Sequence, residues 1–168
     1  MGNWNSRGLR GSVLEEEINL TNGLYLRRGA GVIQKVFTPI TPIEVNNAEH
    51  VITKAYFGQK STVDYMGVSS GKPLCFDAKE TTRTSLPLQN IHSHQIDFME
   101  AFMKQGGVCF LLVKFTQGDV FFLPFDTLKF YWQAAQTGGR KSIPFDSFDI
   151  TLKVKNELGY PLHYLKYI

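Results

Sequence analysis

Two aspartates and a lysine stand at a spacing that could support metal-ion chemistry: Asp64, Asp77 thirteen positions later, and Lys79 two positions beyond. Two carboxylates held close together repel each other unless a cation neutralises them, and such hard oxygen ligands suit Mg²⁺, for which Mn²⁺ can substitute. A neighbouring lysine can hold the attacking water, whose pKa a bound metal lowers. The pattern therefore indicates phosphodiester hydrolysis, although an acid-x-lysine strand is also common as a solvated, salt-bridged edge.

The element that must position these side chains is a predicted β-hairpin. Residues 63–68 and 73–79 alternate as strands do, and a polar turn containing a glycine joins them. Since side chains alternate across a strand, Asp77 and Lys79 should lie on one face, with the residues beside them directed to a core on the other. Antiparallel pairing then brings Asp64 next to them.

Two predicted helices flank this hairpin. The first spans residues 12–26, where Ser12 is a good N-cap and Glu15 follows at capping-box spacing. The second spans residues 93–104 and is followed by two glycines. Gln95 falls in its first turn, where the positive end of the helix would let it orient a water or a phosphate.

Two pairs of potential metal ligands are better explained by roles that need no metal. His92 and His94 invite a zinc interpretation, but no third ligand is suitably spaced, so contacts with solvent or DNA are expected instead. Cys75 and Cys109 both fall in apolar runs typical of strands. They are predicted to be buried, reduced thiols rather than a disulfide or a metal site.

The other segments carry simpler signals. The elements predicted there are strands at 32–37, 50–57, 108–115 and 119–125, a helix at 126–136, and an edge strand at 161–168. Residues 82–90 are polar and helix-averse, which indicates a loop beside the proposed site. Residues 138–142 form a basic loop that begins with two glycines and suits phosphate contact, with a merely solvated loop as the alternative.

Length and composition bound the class of protein. A chain of 168 residues with 43% hydrophobic side chains suits one domain, here with a flexible polar arm predicted over residues 1–11. Eighteen basic and fifteen acidic residues leave a net charge of +3, so the distribution of charge matters more than its sum. The apolar runs are too short to span a membrane, and the first residues lack the order of a signal peptide, so a cytoplasmic protein is expected.

Several short motifs, spread from about Asn5 to near the C-terminus, resemble one known family. They are Tyr56-Phe57, Ser61-Thr62-x-Asp64-Tyr65-x-Gly67, Phe76-x-Ala78-Lys79-Glu80-Thr81, Pro87-Leu88-Gln89-Asn90, His94-Gln95-Ile96, Gly139-Arg140-Lys141-Ser142-Ile143 and Leu158-Gly159-Tyr160. The acidic pattern resembles the PD-(D/E)xK nuclease superfamily, and its surroundings resemble the RecU Holliday junction resolvases of Gram-positive bacteria and their phages. Val63 stands where that family usually has threonine, and Asp77 where it usually has glutamate.

The resemblance implies a fold, an activity and partners. The fold would be α/β and restriction-endonuclease-like in a single domain: a mixed central β-sheet flanked by helices, with a β-stalk projecting at about residues 38–60. The activity would be Mg²⁺-dependent resolution of Holliday junctions by symmetric nicks in two opposing strands, in recombination and repair. A homodimer on four-way junction DNA is expected, with a RecA-type recombinase as a further partner. The alternatives are a non-catalytic junction- or recombinase-binding protein with a decayed site, and another DNA nuclease of the superfamily.

The same resemblance assigns roles to individual residues. The catalytic set is Asp64, Asp77, Lys79, Gln95 and Glu15, of which Asp64, Asp77 and Gln95 would bind the metal. Glu15 is included because an acid on the first helix often approaches the metal in this superfamily, although helix capping explains that residue equally well. The residues expected to contact DNA are Arg7, Arg10, Lys54, Phe57, Lys60, Thr62, Arg140 and Lys141.

Overall fold

The computed structural model describes residues 12–58 and 62–168, and this part of the chain forms three α-helices and ten β-strands. The helices are α1 (Val13–Arg27), α2 (Ser93–Lys104) and α3 (Phe125–Gln136). The strands are β1 (Val32–Lys35), β2 (Ile40–Asn46), β3 (Val51–Phe57), β4 (Tyr65–Ser69), β5 (Lys72–Thr81), β6 (Ser85–Pro87), β7 (Val108–Phe115), β8 (Val120–Pro124), β9 (Ser142–Pro144) and β10 (Lys153–Val154).

Six of these strands form one mixed sheet, in the spatial order β1-β4-β5-β7-β8-β10. Neighbouring strands are antiparallel except β5 and β7, which are parallel. Helix α2 lies between β5 and β7 in the chain, as the crossover between parallel strands requires. Helix α1 packs on one face, and α2 and α3 pack on the other. The predicted mixed sheet flanked by helices is confirmed.

Strand β5 supplies side chains to two hydrophobic cores. Leu74 and Phe76 pack into the core under α1, where the rings of Phe76 and Phe110 stack with centroids 4.7 Å apart. Cys75 points the other way, into the core under α2 and α3, beside Cys109 on β7. Both thiols are buried and free, as predicted. Because both faces of the strand are covered, its sequence is almost continuously apolar at this point.

Strands β2 and β3 form a separate hairpin outside the main sheet. Ile40 pairs with Phe57 at its base, and at its tip the Asn46 side chain accepts hydrogen bonds from the backbone N–H groups of Ala48 and Glu49. All residues of the two strands are exposed except the half-buried Asn46. The hairpin therefore buries little apolar surface of its own, and it occupies the segment predicted to form a stalk.

The segment 82–90, predicted to be a loop, contains a short strand and a turn. Strand β6 pairs antiparallel with β9, so that Leu86 lies opposite Ile143, and both side chains are buried. A 3-10 turn over Leu88–Asn90 then leads into α2. The basic segment 138–142 runs directly into β9. Strands of three residues are too short to show a clear alternation, which explains why the sequence did not reveal this pair.

The C-terminal segment, residues 161–168, does not form the predicted edge strand. It contains a 3-10 helix over Tyr164–Tyr167, and the strand at that edge of the sheet is β10. The Tyr164 hydroxyl donates a hydrogen bond to Asn22 on α1, and its ring meets that of Tyr25 edge-on at 5.3 Å. These contacts bury Tyr164 completely, so packing against α1 determines the conformation of this segment.

The helices follow the predicted boundaries closely. Ser12 caps α1 and accepts a hydrogen bond from the backbone N–H of Glu15 at 3.2 Å, as predicted. Helix α3 begins at Phe125, one residue before the predicted start, and Pro124 occupies its N-cap position. No helix in the described ranges is long and apolar enough to cross a membrane.

Candidate active site

Asp77 is the most deeply buried carboxylate of the candidate site, with 1% of its side chain exposed. Its position in the middle of β5 places it on the face covered by α2. One carboxylate oxygen lies 3.0 Å from the Lys79 ammonium and also accepts a hydrogen bond from the Gln95 amide. The other accepts a hydrogen bond of 2.7 Å from the backbone N–H of Asp64. A buried charge with these partners is well compensated.

Asp64 lies immediately before β4, across from Asp77. The pairing of Tyr65 with Phe76, whose rings stack at 4.8 Å, fixes where β4 begins. Asp64 Oδ2 accepts a hydrogen bond of 3.0 Å from the backbone N–H of Ala78. The two aspartates are therefore held reciprocally, because each carboxylate bonds to backbone of the other's segment. The predicted convergence of the two acids with Lys79 is present in the structure.

The electrostatics of this pair favour a bound cation. Burial and, to a lesser degree, the nearby Asp77 charge raise the pKa of Asp64 to about 6, whereas Lys79 and the Ala78 N–H act in the opposite direction. Ionising Asp64 beside Asp77 costs free energy, and a cation that neutralises the pair removes that cost. The oxygens of both aspartates are donors that fit a hard divalent ion such as Mg²⁺.

Gln95 connects the start of α2 to Asp77. Its carbonyl oxygen accepts a hydrogen bond of 3.0 Å from the backbone N–H of His92, in a capping box that closes the first turn. Its amide nitrogen donates to Asp77. In this orientation Gln95 directs N–H groups toward Asp77, and its role as a metal ligand stays a prediction.

Glu15, on α1, acts electrostatically on Asp64 from the helix that packs on the other face of the sheet. Its negative charge contributes to the raised pKa of Asp64, although less than burial and Asp77 do. The Glu15 carboxylate does not complete a capping box but forms an ion pair of 2.9 Å with Lys35 at the end of β1. Its backbone N–H, not its side chain, takes part in capping by Ser12.

Two residues near the site were not identified from the sequence. Lys35 on β1 is paired with Tyr65 on β4, and this register places the Lys35 ammonium beside Glu15. Glu80 follows Lys79 on β5 and accepts a hydrogen bond of 2.6 Å from the backbone N–H of Leu14, which connects the start of α1 to β5. The signal for Lys35 lies in the β1–β4 pairing, which the sequence did not specify. Glu80 is a carboxylate at a helix N-terminus, which is a favourable position for negative charge. That helix is remote from Glu80 in the chain, so the sequence did not reveal the contact.

The described residues contain no group of three His, Cys, Asp or Glu side chains that could hold a metal ion. The rings of His92 and His94 stack with centroids 5.5 Å apart at the start of α2. An ion at this site would therefore rest on the two aspartates, with the remaining positions open to backbone or water oxygens, as Mg²⁺ commonly prefers.

The residues predicted to contact DNA are distributed over the surface. Phe57 is 79% exposed at the base of the β2–β3 hairpin, and Lys54 on the same strand lies 3.8 Å from Glu44. Thr62 is half-buried just before the site. Three of the residues predicted to contact DNA lie outside the described residues: Lys60, Arg7 and Arg10. The whole predicted arm, residues 1–11, also lies outside them.

The basic pair before β9 is exposed. Arg140 donates a hydrogen bond of 3.2 Å from Nε to the Ser142 hydroxyl, which orients its guanidinium. The backbone carbonyl of Lys141 accepts from the N–H of Leu88 at 3.1 Å, so this pair sits beside the turn that leads into α2. This segment therefore lies beside the turn that precedes α2, the helix that carries Gln95.

Fold and site together define an α/β protein whose mixed sheet carries a buried carboxylate pair and a lysine, on an antiparallel hairpin followed by a crossover helix. Comparison with protein families gives a more specific result. The family model described as "Recombination protein U" (RecU) matches residues 9–168. The chain belongs to the RecU family, as its motifs predicted.

Curated relatives agree with this assignment. The chain is similar to proteins named "Holliday junction resolvase RecU" from Ligilactobacillus salivarius, with 48% identity over 94% of this chain and 72% of the relative, and from Levilactobacillus brevis, with 45% over 95% and 82%. The same name is carried by a relative from Oceanobacillus iheyensis, with 43% identity over 94% of this chain and 80% of the relative. Among solved structures, the Holliday junction resolvase Hjc of Archaeoglobus fulgidus matches with a TM-score of 0.38 and 12% identity, over 66% of this chain and 74% of that one.

Proposed function

We propose that this protein is a metal-dependent endonuclease that resolves Holliday junctions by nicking two opposing strands. The observation that carries the proposal is the reciprocal arrangement of Asp64 and Asp77, with Lys79 3.0 Å from the second carboxylate. Membership of the RecU family and the names of the relatives support the junction as substrate.

Asp64 and Asp77 would hold a Mg²⁺ ion, which when bound supplies charge neutralisation at the phosphate and a water of lowered pKa. Lys79 is 18% exposed, so its ammonium can reach a water or phosphate oxygen while it contacts Asp77. Gln95 keeps the Asp77 carboxylate in one orientation. Glu15, paired with Lys35, adds negative charge on the side of Asp64 that faces α1.

The two departures from the family pattern are compatible with this site. Val63 is completely buried in the core under α2 and α3, so its side chain contributes packing. Asp77, although shorter than glutamate, still contacts Lys79, Gln95 and the backbone of Asp64. No observation therefore favours a decayed, non-catalytic site over a working one.

Recognition of the junction would depend on shape and backbone rather than on extensive base contacts. The exposed β2–β3 hairpin would enter the open centre as a stalk, with Phe57 stacking on exposed bases and Lys54 near phosphates. Thr62 and the Arg140–Lys141 pair would contact the backbone near the site. Since a four-way junction has two-fold symmetry, a homodimer would present two sites to opposing strands. A RecA-type recombinase is a further proposed partner, and the cytoplasm the proposed location.

The test compares a synthetic mobile four-way junction with linear duplex of the same sequence, in Mg²⁺, in Mn²⁺ and in EDTA. The expected result is paired nicks on the junction alone, lost in EDTA and in both Asp64→Ala and Asp77→Ala, with junction binding retained. Asp146→Ala, an exposed acid away from the site, is the matched control and should cut normally. Tight binding of the junction without nicks in either metal would contradict the proposal and identify a junction-binding protein.

A further inference from the structure

A groove on the face of the protein that carries α2 and α3 takes no part in holding the carboxylate pair, and its lining includes Lys141, which is proposed above to contact the DNA backbone. It is lined by Leu88, Gln89, Ile91, Trp132, Gln136 and Lys141, and its volume is about 490 Å³. That volume lies within the roughly 300–1,000 Å³ of pockets that hold small ligands. We propose that this groove binds a single unstacked nucleobase of the strand being cleaved, and thereby sets which sequence at the junction is cut. The inference rests on the junction cleavage proposed above.

The composition of the groove matches a base. Trp132 is half-buried against the core, which leaves part of its indole as a rigid apolar surface on which a base can stack. Within residues 12–58 and 62–168, no side-chain hydrogen bond or ion pair engages Gln89, Gln136 or Lys141. Carboxamides pair with the edge of adenine, and a lysine with the acceptors of guanine. The groove thus combines a stacking surface with unused donors and acceptors.

Charge favours nucleic acid in this groove over its neighbour. The lining residues include one lysine and no carboxylate, and Arg140 precedes that lysine in the chain. On the other side of Trp132, a second groove is lined by Asp97, Glu100 and Lys129, and Glu100 pairs with both Lys129 and Lys104. The lysines there are engaged by a carboxylate, whereas Lys141 of the first groove has no ion pair within the described residues, so the first groove is the more favourable of the two for a phosphate backbone.

The groove is also connected directly to the catalytic carboxylates. The turn over Leu88–Asn90 ends where the backbone N–H of Ile91 bonds to Leu88, and His92 follows as the N-cap of α2. His92 donates to Gln95, which donates to Asp77. Because Ile91 lines the groove and Gln95 bonds to Asp77, the short segment at the start of α2 joins the groove to the carboxylates, and a base in the groove would belong to a nucleotide near the cleaved phosphate.

The first experiment uses the fluorescence of Trp132. The chain has two tryptophans, so Trp4→Phe leaves Trp132 as the sole indole. Binding of a four-way junction in EDTA should quench its emission roughly twofold through base stacking, whereas linear duplex should quench it much less. The control is Gln133→Ala in the same background, on α3 but lining the second groove, which should show the same quenching. Unchanged emission at saturating junction, or equal quenching by duplex, would overturn the proposal.

The second experiment measures sequence preference. Cleavage rates are measured on junctions that differ in the base next to the cleaved phosphate, and the ratio of the fastest to the slowest rate gives the sequence preference. Gln89→Ala and Gln136→Ala should each lower this ratio by roughly tenfold, because the hydrogen bonds of one carboxamide to the edge of the base are lost. An unchanged ratio would contradict the base-binding role. A change in molar mass on Trp132→Leu, measured by light scattering, would assign the groove to contact between subunits instead. If the unmodified protein cut no junction at all, the proposed function would fail, while the fluorescence experiment would still report on the groove.

Discussion

Replacing Asp64 with asparagine should stabilise the metal-free protein while abolishing cleavage. Burial and the charge of Asp77 raise the pKa of Asp64 from 3.8 to about 6. The folded state thus holds this proton more tightly than the unfolded state does, so stability falls as pH rises from about 4 to about 6 and stays low above that range. At about 1.4 kcal/mol for each unit of pKa, the ionised carboxylate destabilises the fold by roughly 3 kcal/mol at neutral pH.

The asparagine side chain would carry no charge, and its oxygen could still accept from the backbone N–H of Ala78 as the aspartate does. For a protein of this size, relief of about 3 kcal/mol corresponds to a rise in Tm of roughly 6–12 °C. Thermal unfolding in EDTA at pH 7.5 should show this rise for Asp64→Asn. The gain should be about half as large at pH 5 and about a fifth as large at pH 4, where the native carboxyl is protonated and the unfolded one is only partly ionised.

Two controls make this result decisive. Asp146→Asn, at an exposed position, should change the free energy of unfolding by less than about 0.5 kcal/mol at every pH. Added Mg²⁺ should raise the Tm of the unmodified protein more than that of Asp64→Asn, because binding to the native state stabilises it. An Asp64→Asn variant that is less stable in EDTA at pH 7.5, or equally stabilised at pH 4 and pH 7.5, would refute the reasoning.

Three further changes test the site, the hairpin and the core. Gln95→Ala should slow junction cleavage by about 10–100-fold, since Asp77 loses the group that orients it, while junction binding measured by gel shift is unchanged. Phe57→Ala should weaken junction binding by roughly 1–3 kcal/mol without lowering Tm, because the ring is 79% exposed. Phe76→Ala should lower the free energy of unfolding in urea by about 3–5 kcal/mol, because the ring is fully buried among aromatic neighbours.

Each of these expectations has an outcome that contradicts it. Normal cleavage by Gln95→Ala would mean that Lys79 and Asp64 suffice to orient Asp77. Equal weakening of junction and duplex binding by Phe57→Ala would indicate general DNA affinity and not stacking at the junction centre. A small effect of Phe76→Ala would mean that the surrounding rings collapse into the space left by the side chain.

The central hairpin and its acids were predictable because local signals agree there. The polar turn adopts positive φ at Ser70 and Gly71, and alternation places Asp77 and Lys79 on one face. Helix α2 was likewise predictable from its apolar period and the glycines that follow it. In each case residues close in sequence determine the structure.

Contacts between distant segments account for what the sequence did not reveal. The Glu15–Lys35 ion pair depends on the register of β1 with β4, and the Glu80 bond to α1 joins residues 66 positions apart. The C-terminal 3-10 helix has a strand-like alternation, but its conformation follows from the packing of Tyr164 on α1. The orientation of the Gln95 amide depends on its hydrogen bond with the His92 N–H, a contact that the residue types alone do not predict.

Strand β5 packs into both hydrophobic cores, so it can separate from its neighbours only when both cores are disrupted. Asp77 lies on the strand that both cores hold, so the amide hydrogens around it should exchange with solvent only when the whole sheet unfolds. The β2–β3 hairpin, with its exposed strands, belongs to neither core and can open by itself at a far smaller free energy. The protein therefore joins a carboxylate pair that remains closed until global unfolding to an exposed hairpin that can open and re-form many times while the pair stays intact.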